Sequence, residues 1–183
     1  MNETNQGTTP SDRSSGLSPR ALRGLFVAVV VLALVALSWP RGQLGSVPGG
    51  SLFDAEGRPT LLATQLAPVT LVHFWATWCP PCLGEIPVLY RLSDDFETNP
   101  DFRVLFVAVD DTVAHVERLV GENRASRVLY DPEGAISREL GARTLPASHL
   151  VVDGDIVETF VGPENWDDPT VRSRLRGEIE RRR

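Results

Sequence analysis

Cys79 and Cys82, the only cysteines in the chain, stand two residues apart in FWATWCPPC, residues 74–82. Such a pair has three chemistries open to it. A structural zinc site needs four ligands, and beyond the two cysteines the chain offers only His73, His115 and His149, scattered along its length. A purely structural disulfide would close a loop too short to restrict the unfolded chain much. The third use is alternate oxidation and reduction, and it requires one sulfur to ionise readily.

The neighbouring elements favour the third use. Val69–Trp75 is a near-continuous apolar run with β-branched and aromatic residues, the pattern of a strand buried on both faces. Pro80–Phe96 has helical spacing, with Ile86, Leu89, Tyr90 and Leu92 apolar. The pair therefore sits where a buried strand ends and a helix begins. A thiolate there is stabilised by free backbone N–H groups and by the positive end of the helix dipole. Cys79, at an exposed cap, is the candidate nucleophile, and Cys82, in the first turn, the candidate resolving thiol.

The rest of the chain supplies further strands and helices around that junction. Ser51–Asp54 and Thr60–Ala63 flank a Glu56-Gly57 turn and predict a short hairpin. Arg103–Val109 predicts a second central strand, and Asp111 or Thr112 a cap for a helix that ends at Gly121. A short strand at Val128–Tyr130 precedes a helix from Asp131-Pro132-Glu133 to Leu140. His149–Val152 and Ile156–Val161 form a hairpin about Asp153-Gly154-Asp155. A last helix covers Asp168 to Arg183, with Pro169 in its first turn. Strand–helix alternation of this kind predicts one α/β domain whose sheet is covered on both faces.

Ahead of residue 51 the composition changes. Residues 1–20 are rich in Ser, Thr, Asn, Gly and Pro and predict a disordered cytoplasmic tail. Leu25–Trp39 is free of charge. Its 15 residues fall short of the usual ~20 for a span, but Arg23 can snorkel and Trp39 can sit at the far interface. We expect a transmembrane signal-anchor over 21–39, with cleavage after Ala36-Leu37-Ser38 as the rival reading. Arg13, Arg20 and Arg23 precede it, which keeps the N-terminus cytoplasmic and exports the remainder. Residues 40–50 then read as a tether, and 51–183 as the functional domain, in the periplasm or extracytoplasmic space of a bacterium. From Gly42 onward there are 14 arginines against 22 acidic residues, a net of −8. That balance argues against nucleic acid as a partner. The Arg172, Arg174, Arg176 and Arg181–Arg183 cluster alternates with Glu178 and Glu180 and reads as a solvated helix face.

With these residues in place, FWATWCPPCLGEIP resembles the active-site segment of the thioredoxin superfamily. More narrowly, it is similar to the membrane-anchored TlpA/ResA/CcmG-like thiol–disulfide oxidoreductases, over roughly Ser51 to Arg183. The resemblance implies a thioredoxin-like fold: a central mixed sheet flanked by helices, with an N-terminal β-hairpin and a central strand–helix insertion around Val128–Leu140. It assigns the redox pair to Cys79 and Cys82 and matches Trp75 and Trp78 to the tryptophans that precede the pair. Glu85 matches the acidic residue of this branch, Pro87 the kinking proline, and Thr144-Leu145-Pro146 the cis-proline loop. Client binding is expected at Trp78, Pro80, Pro81, Thr144, Leu145 and Pro146. Two positions depart from the pattern. His73 stands where relatives carry Asp or Asn, and is either a neutral core histidine or a proton partner of Cys82. His149 replaces an aromatic residue.

The function expected is reduction of client disulfides, as in cytochrome c maturation or copper-site assembly, with a membrane thiol reductase as electron donor. Pro80 and Pro81 offer no donor to stabilise a thiolate, and Glu85 opposes one, so a reducing couple is expected. A general disulfide oxidase or isomerase is the alternative, and a Cu(I) metallochaperone a further one, against which the prolines speak. No cofactor beyond the Cys79–Cys82 dithiol, and no metal, is expected.

Overall fold

The computed structural model describes residues 29–31 and 51–182. The chain divides into two units, residues 1–41 and 42–183. Of the first, Val29–Val31 is described, as helical residues with exposed side chains. The expected tail, the tether and the remainder of the 21–39 span lie outside the described residues. Among the described residues, no helix is long and apolar enough to cross a membrane.

The second unit is built on a seven-stranded sheet: β1 Ser51–Phe53, β2 Pro59–Leu61, β3 Val69–Trp75, β4 Phe102–Val109, β5 Val128–Asp131, β6 Ala147–Val152 and β7 Asp155–Val161. The helices are α1 Pro80–Asp95, α2 Val113–Val120, α3 Glu122–Ala125, α4 Ala135–Glu139 and α5 Pro169–Glu180, and a 3₁₀ turn covers Leu62–Gln65. The strand order is β2-β1-β5-β4-β3-β6-β7. β3, β4 and β5 run parallel, while β6, β7, β1 and β2 join antiparallel. The sheet is therefore mixed.

β3 is central and every one of its side chains is buried. Alternation sends them to two cores. Val69, Leu71 and Trp75 meet Ile86, Leu89 and Tyr90 of α1 and Leu175 and Ile179 of α5. Val72 and Phe74 point the other way, into a cluster with Leu52, Leu105, Val107 and Ile136. This double burial explains why β3 has no polar face and why the sequence pattern located it.

The register fixes which end of the sheet carries the chemistry. Trp75 is paired with Ala108 and Phe74 with Ala147. The segments just after β3, just after β4 and just before β6 thus come together at one end. They are the turn 76–79, Asp110-Asp111 and Thr144-Leu145-Pro146.

Local chemistry sets the boundaries. Thr112 caps α2, its side chain accepting from the His115 amide. Asp168 caps α5 ahead of Pro169, its carboxylate accepting from the Thr170 and Val171 amides. Asp153 and Gly154 both have positive φ, 51° and 87°, as a two-residue I′ hairpin demands. Two expected boundaries shift. The strand expected over Thr60–Ala63 is β2, Pro59–Leu61, and ends where the 3₁₀ turn Leu62–Gln65 begins. The helix predicted from Asp131 begins only at Ala135, because Asp131 completes β5. Its carboxylate reaches forward to accept the amides of Ala135 at 2.9 Å and Ser137 at 2.8 Å. Gly134, at φ 63°, turns the chain between the two, and a Cβ there would lie 2.9 Å from Arg138 Nη1. α3 was not foreseen, since four residues are too few to carry a helical period.

Of the arginines of α5, Arg174 and Arg176 are exposed as expected, Arg174 pairing with Glu158. Arg172 departs from the solvated face: it is largely buried, donates to the Trp166 carbonyl and pairs with Asp95 and Asp167. Arg182, just past the helix, pairs with Asp153.

Candidate active site

Cys79 and Cys82 are joined by a disulfide. Cys79 is the N-cap of α1 and Pro80 its first residue, where the missing proline N–H costs no helical bond. The Cys79 carbonyl opens the helix, accepting from the amides of Cys82 at 3.0 Å and Leu83 at 3.3 Å. The expected exposure of Cys79 is corrected: it is 4% exposed, while Cys82 is fully buried. Bonded to an enclosed partner, the Cys79 side chain joins the apolar cluster that holds Trp75 and Ala76. What faces solvent is the frame around it, Trp78, Pro80 and Pro81.

The Leu145–Pro146 peptide bond is cis. Leu145 is half-buried against the cluster that contains both cysteines. Thr144 is exposed beside it, and the Pro146 carbonyl accepts from the Gly162 amide at 2.9 Å. The register of β3 with β6 brings this loop to the sheet end that carries the disulfide; of the expected client-contact residues there, Thr144 is exposed, Leu145 half-buried and Pro146 buried.

Glu85 lies one turn beyond Cys82 and is 5% exposed. A solvated role for it is thereby excluded. Its Oε1 accepts from the Trp166 indole N–H at 2.5 Å and from the Glu164 amide at 2.9 Å, while Oε2 meets no protein donor. Burial pushes the carboxyl above its ordinary pKa, against the lowering effect of those two hydrogen bonds. Sequence reasoning missed Trp166, whose indole reaches back 81 residues.

His73 is wholly buried. Its Nδ1 lies 2.8 Å from the Ser148 hydroxyl, the residue it faces in β6, and its ring meets Phe106 edge-on. Nε2 meets no protein partner. Burial lowers its pKa to about 3, so the ring is neutral at neutral pH. His149 is a packed residue as well, its ring edge-on to Phe74 and its Nδ1 2.9 Å from Thr159 Oγ1.

Two further residues join the site from the loop after β4. The Asp110 carbonyl accepts from the Trp78 indole at 2.9 Å, and Asp111 Oδ2 accepts from the Thr77 amide at 2.6 Å. The sequence suggested Asp111 only as a helix cap. Its contact with residue 77 has no local signature.

A disulfide at a helix N-terminus, on a mixed sheet and beside a cis-proline loop, defines a thioredoxin-like site. The comparisons agree. A family model described as Redoxin matches residues 43–175, and the chain belongs to that family. A sporulation thiol-disulfide oxidoreductase A of Bacillus subtilis is 30% identical over 101 residues, 51% of this chain and 59% of the relative. The thiol:disulfide interchange protein CycY of Rhizobium leguminosarum is 35% identical over 116 residues, 60% of each chain. The chain thus spans less than two thirds of the length of these two relatives. The fold matches a crystal structure described as a putative thiol:disulfide interchange protein DsbE from Chlorobium tepidum. Its TM-score is 0.60 at 22% identity, covering 73% of this chain and 95% of that one.

Proposed function

We propose that this chain is an extracytoplasmic thiol–disulfide oxidoreductase that reduces the disulfides of client proteins through Cys79 and Cys82. The observation that carries the reading is the Cys79–Cys82 disulfide at the start of α1, with Cys79 as the cap. In the dithiol form the Cys79 thiolate attacks a client disulfide. The sulfur–sulfur bond of the client breaks, one client sulfur leaves as thiolate and takes a proton, and a mixed disulfide forms. Cys82 loses its proton and attacks the Cys79 sulfur, expelling the second client sulfur. Two electrons and two protons pass to the client, and the pair ends oxidised, the state of the structure.

Glu85 takes the proton role at Cys82. A carboxyl whose pKa is raised by burial lies closer to a thiol and exchanges protons with it more effectively. His73, neutral and hydrogen-bonded, contributes an acceptor rather than a charge. Trp78, Pro80, Pro81, Thr144, Leu145 and Pro146 hold the client chain around its cystine. Pro80 and Pro81 supply no donor to a thiolate, which keeps the couple reducing rather than oxidising.

Turnover in an oxidising compartment needs a thiol donor, for which a membrane thiol reductase is the fitting partner. The apolar 21–39 segment would anchor the domain beside it. CycY and the sporulation oxidoreductase are named for thiol–disulfide chemistry, and apocytochrome c or a copper-site assembly protein fits as client. Mixed-disulfide trapping in cells with a Cys82→Ser variant tests this. The reading expects a covalent complex with a cystine-bearing exported protein. A variant that captures nothing, beside a reduced wild type that leaves insulin disulfides intact, contradicts it.

A further inference from the structure

We propose that the Asp110-Asp111 corner after β4 is the device that positions the nucleophile, with Asp111 as its principal positioning residue. The inference rests on the oxidoreductase reading and goes beyond it.

Residues 76–79 form a turn closed by the Cys79 amide donating to the Ala76 carbonyl at 3.2 Å. Its two middle residues are each tied to the same corner. Thr77 donates its amide to Asp111 Oδ2 at 2.6 Å, and Trp78 its indole N–H to the Asp110 carbonyl at 2.9 Å. Asp110 adopts φ 48° to present that carbonyl, a left-handed conformation that aspartate tolerates better than most residues.

The Asp111 side chain is fully buried yet well satisfied. Besides Thr77 it accepts from the Thr112 amide at 2.8 Å and from His115 Nδ1 at 3.2 Å. A carboxylate has room for all three donors, and the short bond to Thr77 is of the charge-assisted kind. One face of the corner is thus fixed to α2 and the other to the turn.

The chemical consequence follows from the redox cycle. In the oxidised state the bond to Cys82 itself holds Cys79 in place. In the dithiol and in the mixed disulfide that tether is gone, and the conformation of the turn alone aims the sulfur. A clamp on both middle residues of the turn therefore matters most when Cys79 must attack, and displacement by about an ångström costs up to a hundredfold in rate.

The test is the single-turnover rate of mixed-disulfide formation with a cystine peptide, measured on the full chain carrying Cys82→Ser. Asp111→Ala should slow the attack about tenfold, while Asp111→Asn, which keeps an acceptor for the Thr77 amide, should restore the rate to within about twofold. Trp78→Phe changes an exposed ring without threatening the fold; it removes the donor to Asp110 and keeps an aromatic face for the peptide, so at saturating peptide, where binding no longer limits the rate, it should slow the attack about threefold. That second variant keeps the test decisive if Asp111→Ala does not fold. Wild-type rates in both Asp111→Ala and Trp78→Phe would overturn the clamp. So would an Asp111→Asn variant that melts with wild type and attacks as slowly as the alanine. If Cys79 of the unaltered clamp fails to attack the peptide at all, the oxidoreductase reading falls with it.

Discussion

The turn that leads into the disulfide and the buried polar groups behind it sit in opposite kinds of surroundings. On the Cys79 side, the turn 76–79 is held by Asp110 and Asp111, and each oxygen of the buried Asp111 carboxylate accepts at least one hydrogen bond. In the helix beyond Cys82, Glu85 Oε2 is buried without a protein partner, as are Trp75 Nε1 and His73 Nε2 of β3, and burial displaces the pKa of both titratable groups. The difference teaches a division of labour. Satisfied buried charge fixes a position; unsatisfied buried polarity costs stability and leaves groups whose protonation is poised by their surroundings. On the proposed mechanism, the first suits Cys79, the sulfur to be aimed, and the second suits Cys82, the sulfur to be deprotonated.

The sharpest break in this contrast comes from the cysteines themselves. Cys79→Ser should abolish client reduction, whereas Cys82→Ser should still attack and stall as a mixed disulfide, visible on a non-reducing gel. Equal behaviour of the two variants would erase the assignment of roles.

Next in size are the pH effects of the two buried titratable groups, His73 and Glu85. His73 has a folded pKa depressed from 6.5 to about 3. Between those values the unfolded chain binds a proton that the folded chain refuses, so wild-type stability falls as pH is lowered through that window. His73→Asn should flatten that acid limb in denaturant titrations. Glu85 works in the opposite sense. Its raised pKa means that the folded state holds a proton the unfolded state has released, so its contribution is present below the unfolded value and is lost as pH rises through the folded value. Glu85→Gln, which keeps an acceptor for Trp166 and Glu164, should therefore gain stability relative to wild type as pH rises from 4 to 8. A constant difference across that range would mean that the carboxyl titrates normally.

A smaller effect sharpens the Cys79 side. Thr112→Ala removes the side-chain cap of α2 and should cost about 1 kcal/mol of stability without slowing the attack. Thr112 is adjacent to Asp111 but gives the clamp only its backbone. A rate loss matching that of Asp111→Ala would show that general loosening of the loop, not the carboxylate, controls the nucleophile.

Much of the fold was legible because it rests on local patterns. β3 is apolar throughout because it is buried on both faces, and its boundaries at Val69 and Trp75 coincide with the run in the sequence. Pro80 and Gly121 marked a helix start and a helix end by backbone chemistry that needs no tertiary partner. The start of α4 was misplaced because Asp131, which resembles a cap, acts from the end of a strand. The pairing of Cys79 with Cys82 and the cis bond at Pro146 were readable from the spacing of the cysteines and from the resemblance to the thioredoxin superfamily. Asp110, Asp111 and Trp166 were not: they act on residues 32 to 81 positions away, and only the folded register brings them there. The burial of Glu85 was hidden for the same reason, since its enclosing indole belongs to the segment before α5.

The central claim is that Cys79 and Cys82 cycle as a reducing dithiol couple, and the reduction potential of the full chain in thiol–disulfide buffers tests it most directly. The account predicts one two-electron transition at a potential close to that of thioredoxin, about −270 mV. A potential near about −120 mV, that of a strong oxidase, or no two-electron transition at all, would contradict it.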